Sequence, residues 1–231
     1  MNYTTIMILF IPVLLLTVIA SIMVHTTFRK YNTHNSVRGM TGAEAAQVIL
    51  HTHGIYNVPV YVVEGELTDH YNPANNSLNL STEVYHGTSI AAIGVACHEA
   101  GHAMQYAHSY LPTKIRTLLV PIVNFGARCS GLLIIGGCLF ASFGLMQMMI
   151  LAQIGVALFA ASTLFQLVTL PTELNASQRA LQCIRECNIL TADEMRGAKK
   201  VLTAAAMTYI ASLMLSILEL LRLIAIIRRD D

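Results

Sequence analysis

Val95-Ala96-Cys97-His98-Glu99-Ala100-Gly101-His102-Ala103-Met104-Gln105 places two histidines four residues apart, with a glutamate directly after the first. On an α-helix, positions four apart stand one above the other, so His98 and His102 aim their imidazoles at one point. Glu99 lies about 100° round the helix from His98, within reach of a water at that point but outside the ligand row. Two metal ligands, one base and room for a third ligand and a water suit zinc hydrolysis. The helix itself has independent support. Thr88 or Ser89 can cap it, and Ile90, Ala91, Ile93, Gly94, Val95 and Ala96 give an apolar approach that packs on several sides. The five-residue pattern alone arises by chance in on the order of 1 in 100 chains of this length. The reading therefore needs a third ligand in a reasonable place.

Composition sets the surroundings. The chain has 231 residues, of which 55% are hydrophobic and 12% charged, with no Trp. Its mean hydropathy is +0.57. A soluble domain carries about 25% charged residues, so this composition is that of a membrane protein. A net charge of +1 suggests no nucleic-acid partner. The five cysteines, Cys97, Cys129, Cys138, Cys183 and Cys187, are odd in number and lack a disulfide-framework spacing, so reduced thiols are expected. Cys183 and Cys187 have the i, i+4 spacing of a metal-binding pair, but no His or further Cys stands near them in sequence.

About four spans are expected. Residues 5–24 carry no charge and are long enough to cross a bilayer. Arg29, Lys30 and Arg38 follow that run and no positive residue precedes it, which fits an uncleaved anchor with its N-terminus outside. Thr41 to Glu44 has capping-box spacing, with Gly54 as a stop for the helix it opens. Val58 to Val63 and Ser77 to Ser81 read as strands, and the stretch from Thr68 to Ser77 as loop. Residues 118–141 and 148–170 read as two spans joined by a tight turn, with Arg128 as their one charge and Gln147, Gln153 and Gln166 as interhelical hydrogen bonders. Pro171-Thr172 then opens a new polar helix, Thr191 to Glu194 is a second capping box, and residues 204–227 form a last apolar stretch in which Glu219 and Arg222 read as an ion pair.

The organisation expected is an anchor at 1–28, a metallopeptidase domain at 29–116, a helical hairpin at 117–170, a polar helix segment at 171–203 and a C-terminal span at 204–231. The fold class is mainly α: a multi-pass helical membrane protein with a small α+β, gluzincin-like domain. Ten of the 14 Lys and Arg, among them Lys114, Arg116, Arg179, Arg185, Arg196, Lys199 and Lys200, fall in the two polar segments. That excess places both segments in the cytoplasm, with Arg228 and Arg229 arguing weakly the other way.

Two residues compete as third ligand. His108 stands where H-E-x-x-H-x-x-G-x-x-H has its last histidine, but the glycine that swings the chain back is replaced by Gln105. Glu173 fits better, because the helical hairpin returns the chain to the side that holds His98. Ser177 shares its helical face and can orient a ligand. Glu64, Glu66, Glu83, Asp193 and Glu194 read as solvated surface charge.

Leu67-Thr68-Asp69-His70-Tyr71-Asn72-Pro73, Ser89-Ile90-Ala91-Ala92 leading into the His98 motif, and Leu170-Pro171-Thr172-Glu173-Leu174-Asn175-Ala176-Ser177 together resemble the YugP-type neutral zinc metallopeptidases of bacteria. The layout is similar, more distantly, to the HtpX-type and CAAX prenyl membrane proteases, which carry H-E-x-x-H and a later E-x-x-A-D. By that resemblance Glu173 takes the third-ligand role, and Ser177 stands where those relatives have Asp. The resemblance implies a bacterial inner-membrane peptidase.

The expected chemistry is peptide hydrolysis by a metal-activated water, with one Zn²⁺ per chain held by His98, His102 and Glu173 and with Glu99 as general base. Its partners are a peptide or membrane-protein substrate and the lipid bilayer. Residues 61–63 or 78–80 can offer a strand edge to an extended peptide, and His70, His86, Tyr71 and Tyr85 are further oxyanion donors to consider. The rivals are an intramembrane protease of the site-two type, a metal-binding scaffold without turnover, and a transporter. The polar loop before His98, the intact Glu99 and the scarcity of intramembrane charge argue against them in turn.

Overall fold

The structure, a computed structural model, describes residues 3–227. Arg228 and Arg229, which bear on the topology argument, lie outside the described residues. The element order is α1 (Tyr3–Asn32), α2 (Gly42–Thr52), β1 (Val60–Val63), β2 (His70–Asn72), β3 (Ser77–Ser81), α3 (Thr82–His86), α4 (Ile90–Ala107), α5 (Leu111–Ser142), α6 (Met149–Glu186) and α7 (Ala192–Ile227). A 3₁₀ turn at Met146–Met148 precedes α6. Among the described residues four helices are long and apolar enough to cross a membrane: those of α1, α5, α6 and α7. The protein is a multi-pass helical membrane protein with a small α+β region.

The chain divides into two compact units. Among the described residues, one comprises 3–19, 115–170 and 209–227. Small residues let its helices approach closely: a Cβ on Gly137 would stand 2.5 Å from the Ala152 backbone nitrogen. Gln166 makes an interhelical bond, its Nε2 donating to Ser216 Oγ at 2.7 Å. Glu219 and Arg222 form an ion pair, and the Arg222 guanidinium lies 5.5 Å from the Phe10 ring centre.

The other unit comprises residues 20–114 and 171–208. Its core holds Ile49, Leu50, Leu78, Leu80, Val84, Ile93, Cys97, Ile184 and Ile189, contributed by α2, β3, α3, α4, the end of α6 and the turn after it. Thr41 caps α2 through a complete capping box with Glu44. Thr191 and Glu194 repeat the arrangement at α7, the Thr191 amide donating to Glu194 Oε2 at 2.7 Å. Ser89 caps α4 by accepting from the Ala92 amide.

Three expectations change. The stretch from Thr68 to Ser77 is not all loop: β2 lies inside it, pairing antiparallel with β3, Tyr71 against Leu78. The polar triplet His-Tyr-Asn has no alternating pattern to reveal a strand. The strand at Ser77–Ser81 is the central one, in the order β1-β3-β2, and is buried along its whole length. Residues 78–80 therefore offer no free edge. Finally, no helix starts at Pro171. α6 runs through that proline without a break, as helices of membrane proteins tolerate. Glu173 consequently sits in mid-helix, with Thr172 wholly buried beside it.

Candidate metal centre

α4 presents His98 and His102 on one face, as their spacing requires, with ring centres 4.7 Å apart and planes nearly perpendicular. α6 crosses that face at Gly101. A Cβ there would stand 2.7 Å from the Ala176 carbonyl oxygen, so only glycine permits this approach. The crossing brings Glu173, 3% exposed, against both rings. Its Oε2 lies 3.2 Å from His98 Nε2 and 3.2 Å from His102 Nε2.

The opposite ring nitrogens are also held. His102 Nδ1 lies 3.1 Å from Gln105 Oε1. The Gln105 amide is fixed, because its Nε2 donates to the Thr172 carbonyl at 2.7 Å and to Asn175 Oδ1 at 3.0 Å. Its Oε1 is thus an acceptor and takes a second bond from Thr113 Oγ1. An oxygen that only accepts requires the proton on His102 Nδ1, which leaves a lone pair on Nε2 facing Glu173. His98 Nδ1 meets Ser177 Oγ at 3.1 Å. A hydroxyl both donates and accepts, so this contact orients the ring without choosing its tautomer.

Glu99 is partly buried, and the ligand-type atoms of His98, Glu99 and His102 lie within 4.8 Å of one another. Its Oε2 accepts from the Tyr71 backbone amide on β2 at 3.0 Å. Burial pushes the Glu99 carboxyl up to about 7. The charge of His98 and the Tyr71 amide pull against that, and Glu173 adds to it.

The donor set fits zinc. Two imidazole nitrogens and a carboxylate oxygen at bond lengths of 2.0–2.2 Å stand about 3.4 Å apart around a tetrahedral ion. The two 3.2 Å separations are close to that edge length.

The remaining candidates lie elsewhere. His108 caps the end of α4, and its Nδ1 accepts from Arg179 Nη1 at 3.3 Å. Glu194 is buried rather than solvated: it accepts from the Val37 amide and closes the α7 capping box. Glu83 accepts from Asn32, and Asp193 pairs with Arg196. His70 is exposed, with Nδ1 by the Thr68 carbonyl. His86 packs edge-on to Tyr85. Tyr71 contributes its backbone amide to Glu99, and its hydroxyl donates to Asn76. Gln105 is the participant that sequence reasoning missed. It was legible only as the residue that breaks the glycine pattern, although a glutamine three residues after a candidate ligand histidine, one turn further on, was a usable signal.

The family pattern described as "Putative neutral zinc metallopeptidase" matches residues 6–228. The chain is 44% identical over 207 residues to "Putative membrane protease YugP" of Bacillus subtilis (strain 168), covering 90% of this chain and 89% of that protein. No solved structure matches the chain. With a family match over nearly its whole length and a metal-type donor set in its polar unit, the chain belongs to the neutral zinc metallopeptidase family that this pattern describes.

Proposed function

We propose that the protein is a zinc-dependent endopeptidase that hydrolyses peptide bonds at the cytoplasmic face of a bacterial inner membrane. His98 Nε2, His102 Nε2 and Glu173 Oε2 would hold one Zn²⁺, and Glu99 is the general base. The observation that carries this is the convergence of those three atoms beside Glu99. Zinc, when bound, supplies the Lewis acidity that makes water nucleophilic near neutral pH and stabilises negative charge on a carbonyl oxygen.

The chain's own groups do the rest. Glu99, steadied by the Tyr71 amide, takes a proton from the water as its oxygen bonds to the peptide carbon. It then gives that proton to the amide nitrogen as the C–N bond breaks. Gln105 and Ser177 hold the two imidazoles in place. β1 is a sheet edge with exposed Tyr61 and Val62, which suits pairing with an extended peptide. The cytoplasmic placement rests on the Lys and Arg of the polar segments.

The test is the full chain in lipid nanodiscs with an unstructured protein as substrate. Wild type is expected to cleave it, and to stop when zinc is chelated. Glu99→Gln is expected to keep its zinc and lose activity by about 10²–10⁴-fold. Cleavage by Glu99→Gln at the wild-type rate removes Glu99 from the chemistry. A zinc-loaded wild type that cleaves nothing favours the scaffold reading.

A further inference from the structure

A second cluster of ligand-type side chains lies in the same unit, apart from Glu173. His53 closes α2, and its Nδ1 lies 2.8 Å from the Ile49 carbonyl oxygen. A carbonyl only accepts, so the proton sits on Nδ1 and Nε2 presents a lone pair. That is how metal-binding histidines are oriented from behind. His53 Nε2 faces Cys183 Sγ at 3.6 Å. Cys183 Sγ in turn lies 3.9 Å from Met104 Sδ. Cys183 is 2% and Met104 3% exposed.

Both neighbours of that sulfur present lone pairs. One S–H cannot serve both the His53 lone pair and the Met104 thioether. The Cys183 sulfur therefore has two lone-pair donors against it, an imidazole nitrogen and a thioether, an arrangement that a cation can complete. The spacing agrees. Bonds of 2.0–2.1 Å to nitrogen and about 2.3 Å to sulfur place N and S about 3.6–3.8 Å apart, and two sulfurs about 3.8–4.0 Å apart, in tetrahedral or trigonal geometry. A cavity of about 320 Å³ lined by all three residues gives room for entry.

We propose that His53, Cys183 and Met104 form a second metal site, suited to a soft monovalent cation of the Cu(I) type. Thiolate and thioether donors select such a cation. A thiolate with a monovalent ion is neutral overall, which burial tolerates better than net charge. Glu186 also has an oxygen within 4.8 Å of the His53 and Cys183 donors, but it is exposed and accepts from Gln182 Nε2. Binding releases the Cys183 proton to solvent, one per ion. The bound ion ties α2, α4 and α6 together two residues past His102 on α4, so occupancy stiffens the helix that carries the first site.

The test uses the zinc-loaded full chain in nanodiscs, titrated anaerobically with Cu(I) against a chromophoric chelator. One equivalent beyond the zinc is expected, with one proton released. Loss of a ligand in Cys183→Ser or His53→Gln should cost more than the roughly 10–100-fold that outer-shell changes cost. Met104→Leu, which preserves volume and fold, should weaken Cu(I) measurably, whereas Cys129→Ser with Cys138→Ser should leave it unchanged. Retained zinc in each variant reports an intact fold. Failure of wild type to bind Cu(I), or binding indifferent to all three ligand changes, overturns the site. A second zinc equivalent that survives Met104→Leu and is lost in Glu186→Gln overturns the assignment to a soft monovalent ion.

Discussion

α4 carries His98, Glu99 and His102 within five consecutive residues, whereas α6 brings Glu173 from 75 positions after His98. The contribution of α4 follows from helix geometry alone and would hold in any helix. That of α6 depends on where two helices touch, and so on Gly101, Ala176, Gln105 and Asn175. Local spacing places two imidazoles on one face, and tertiary packing must supply everything that completes the set. The site is therefore expected to fail from the α6 side in graded ways that report on that crossing.

Glu173→Ala is the strongest break. It removes a carboxylate oxygen 3.2 Å from both rings. Zinc affinity should fall by more than the roughly 100-fold at the upper end of outer-shell losses. Zinc binding by competition with a fluorescent chelator decides it, and unchanged affinity would end the case for Glu173 as a ligand.

Gly101→Ala tests the crossing itself without touching a donor atom. Its Cβ would meet the Ala176 carbonyl oxygen at 2.7 Å, and backbone cannot move aside as a flexible side chain can. Overpacking of this kind costs about 1–3 kcal/mol, and the upper end is expected here. The thermal midpoint should drop and zinc affinity should fall with it, since Glu173 is pushed from the rings. Loss of stability with unchanged zinc affinity would show that α6 holds Glu173 independently of this contact.

These two sites also mark what the sequence made legible. The four apolar helices and the His98 motif could be read because hydropathy and the i, i+4 rule act over a few residues. Glu173 could be reached by asking which acidic residue the helical hairpin returns to the same side. β2 could not be read, because its three polar residues are a strand only by pairing with β3. The continuity of α6 through Pro171 was hidden as well, since proline ordinarily ends a helix. Gln105 was visible as a departure from a pattern, and its function as the anchor of His102 appeared only with Thr172 and Asn175 in place.

Ser177→Ala separates the two histidines. Gln105 fixes the tautomer of His102, while Ser177 only steadies His98. Removing the hydroxyl should lower zinc affinity by about tenfold, the small end of outer-shell effects. Ser177→Asp offers His98 Nδ1 an acceptor that cannot donate, and should raise affinity above wild type. Equal affinities in all three proteins would show that packing alone orients His98.

The smallest effect expected concerns Glu99 and is read in the metal-free protein. Burial, opposed in part by His98 and the Tyr71 amide, lifts its carboxyl from 4.5 to about 7. Below pH 4.5 the group is neutral in both folded and unfolded chains, so its contribution to stability is intact. Between pH 4.5 and about 7 the unfolded chain ionises first and binds fewer protons, so stability falls as pH rises. The full shift corresponds to about 3 kcal/mol. Partial solvent access at Glu99 reduces the expected loss to about 1 kcal/mol, by the screening that weakens exposed charges. Glu99→Gln has no such titration. The difference in thermal midpoint between wild type and Glu99→Gln, both freed of zinc, should therefore widen in the variant's favour from pH 4.5 to 7. Parallel curves over that range would mean that the carboxyl ionises as readily in the folded chain as in water, and that α4 and β2 do not shield it.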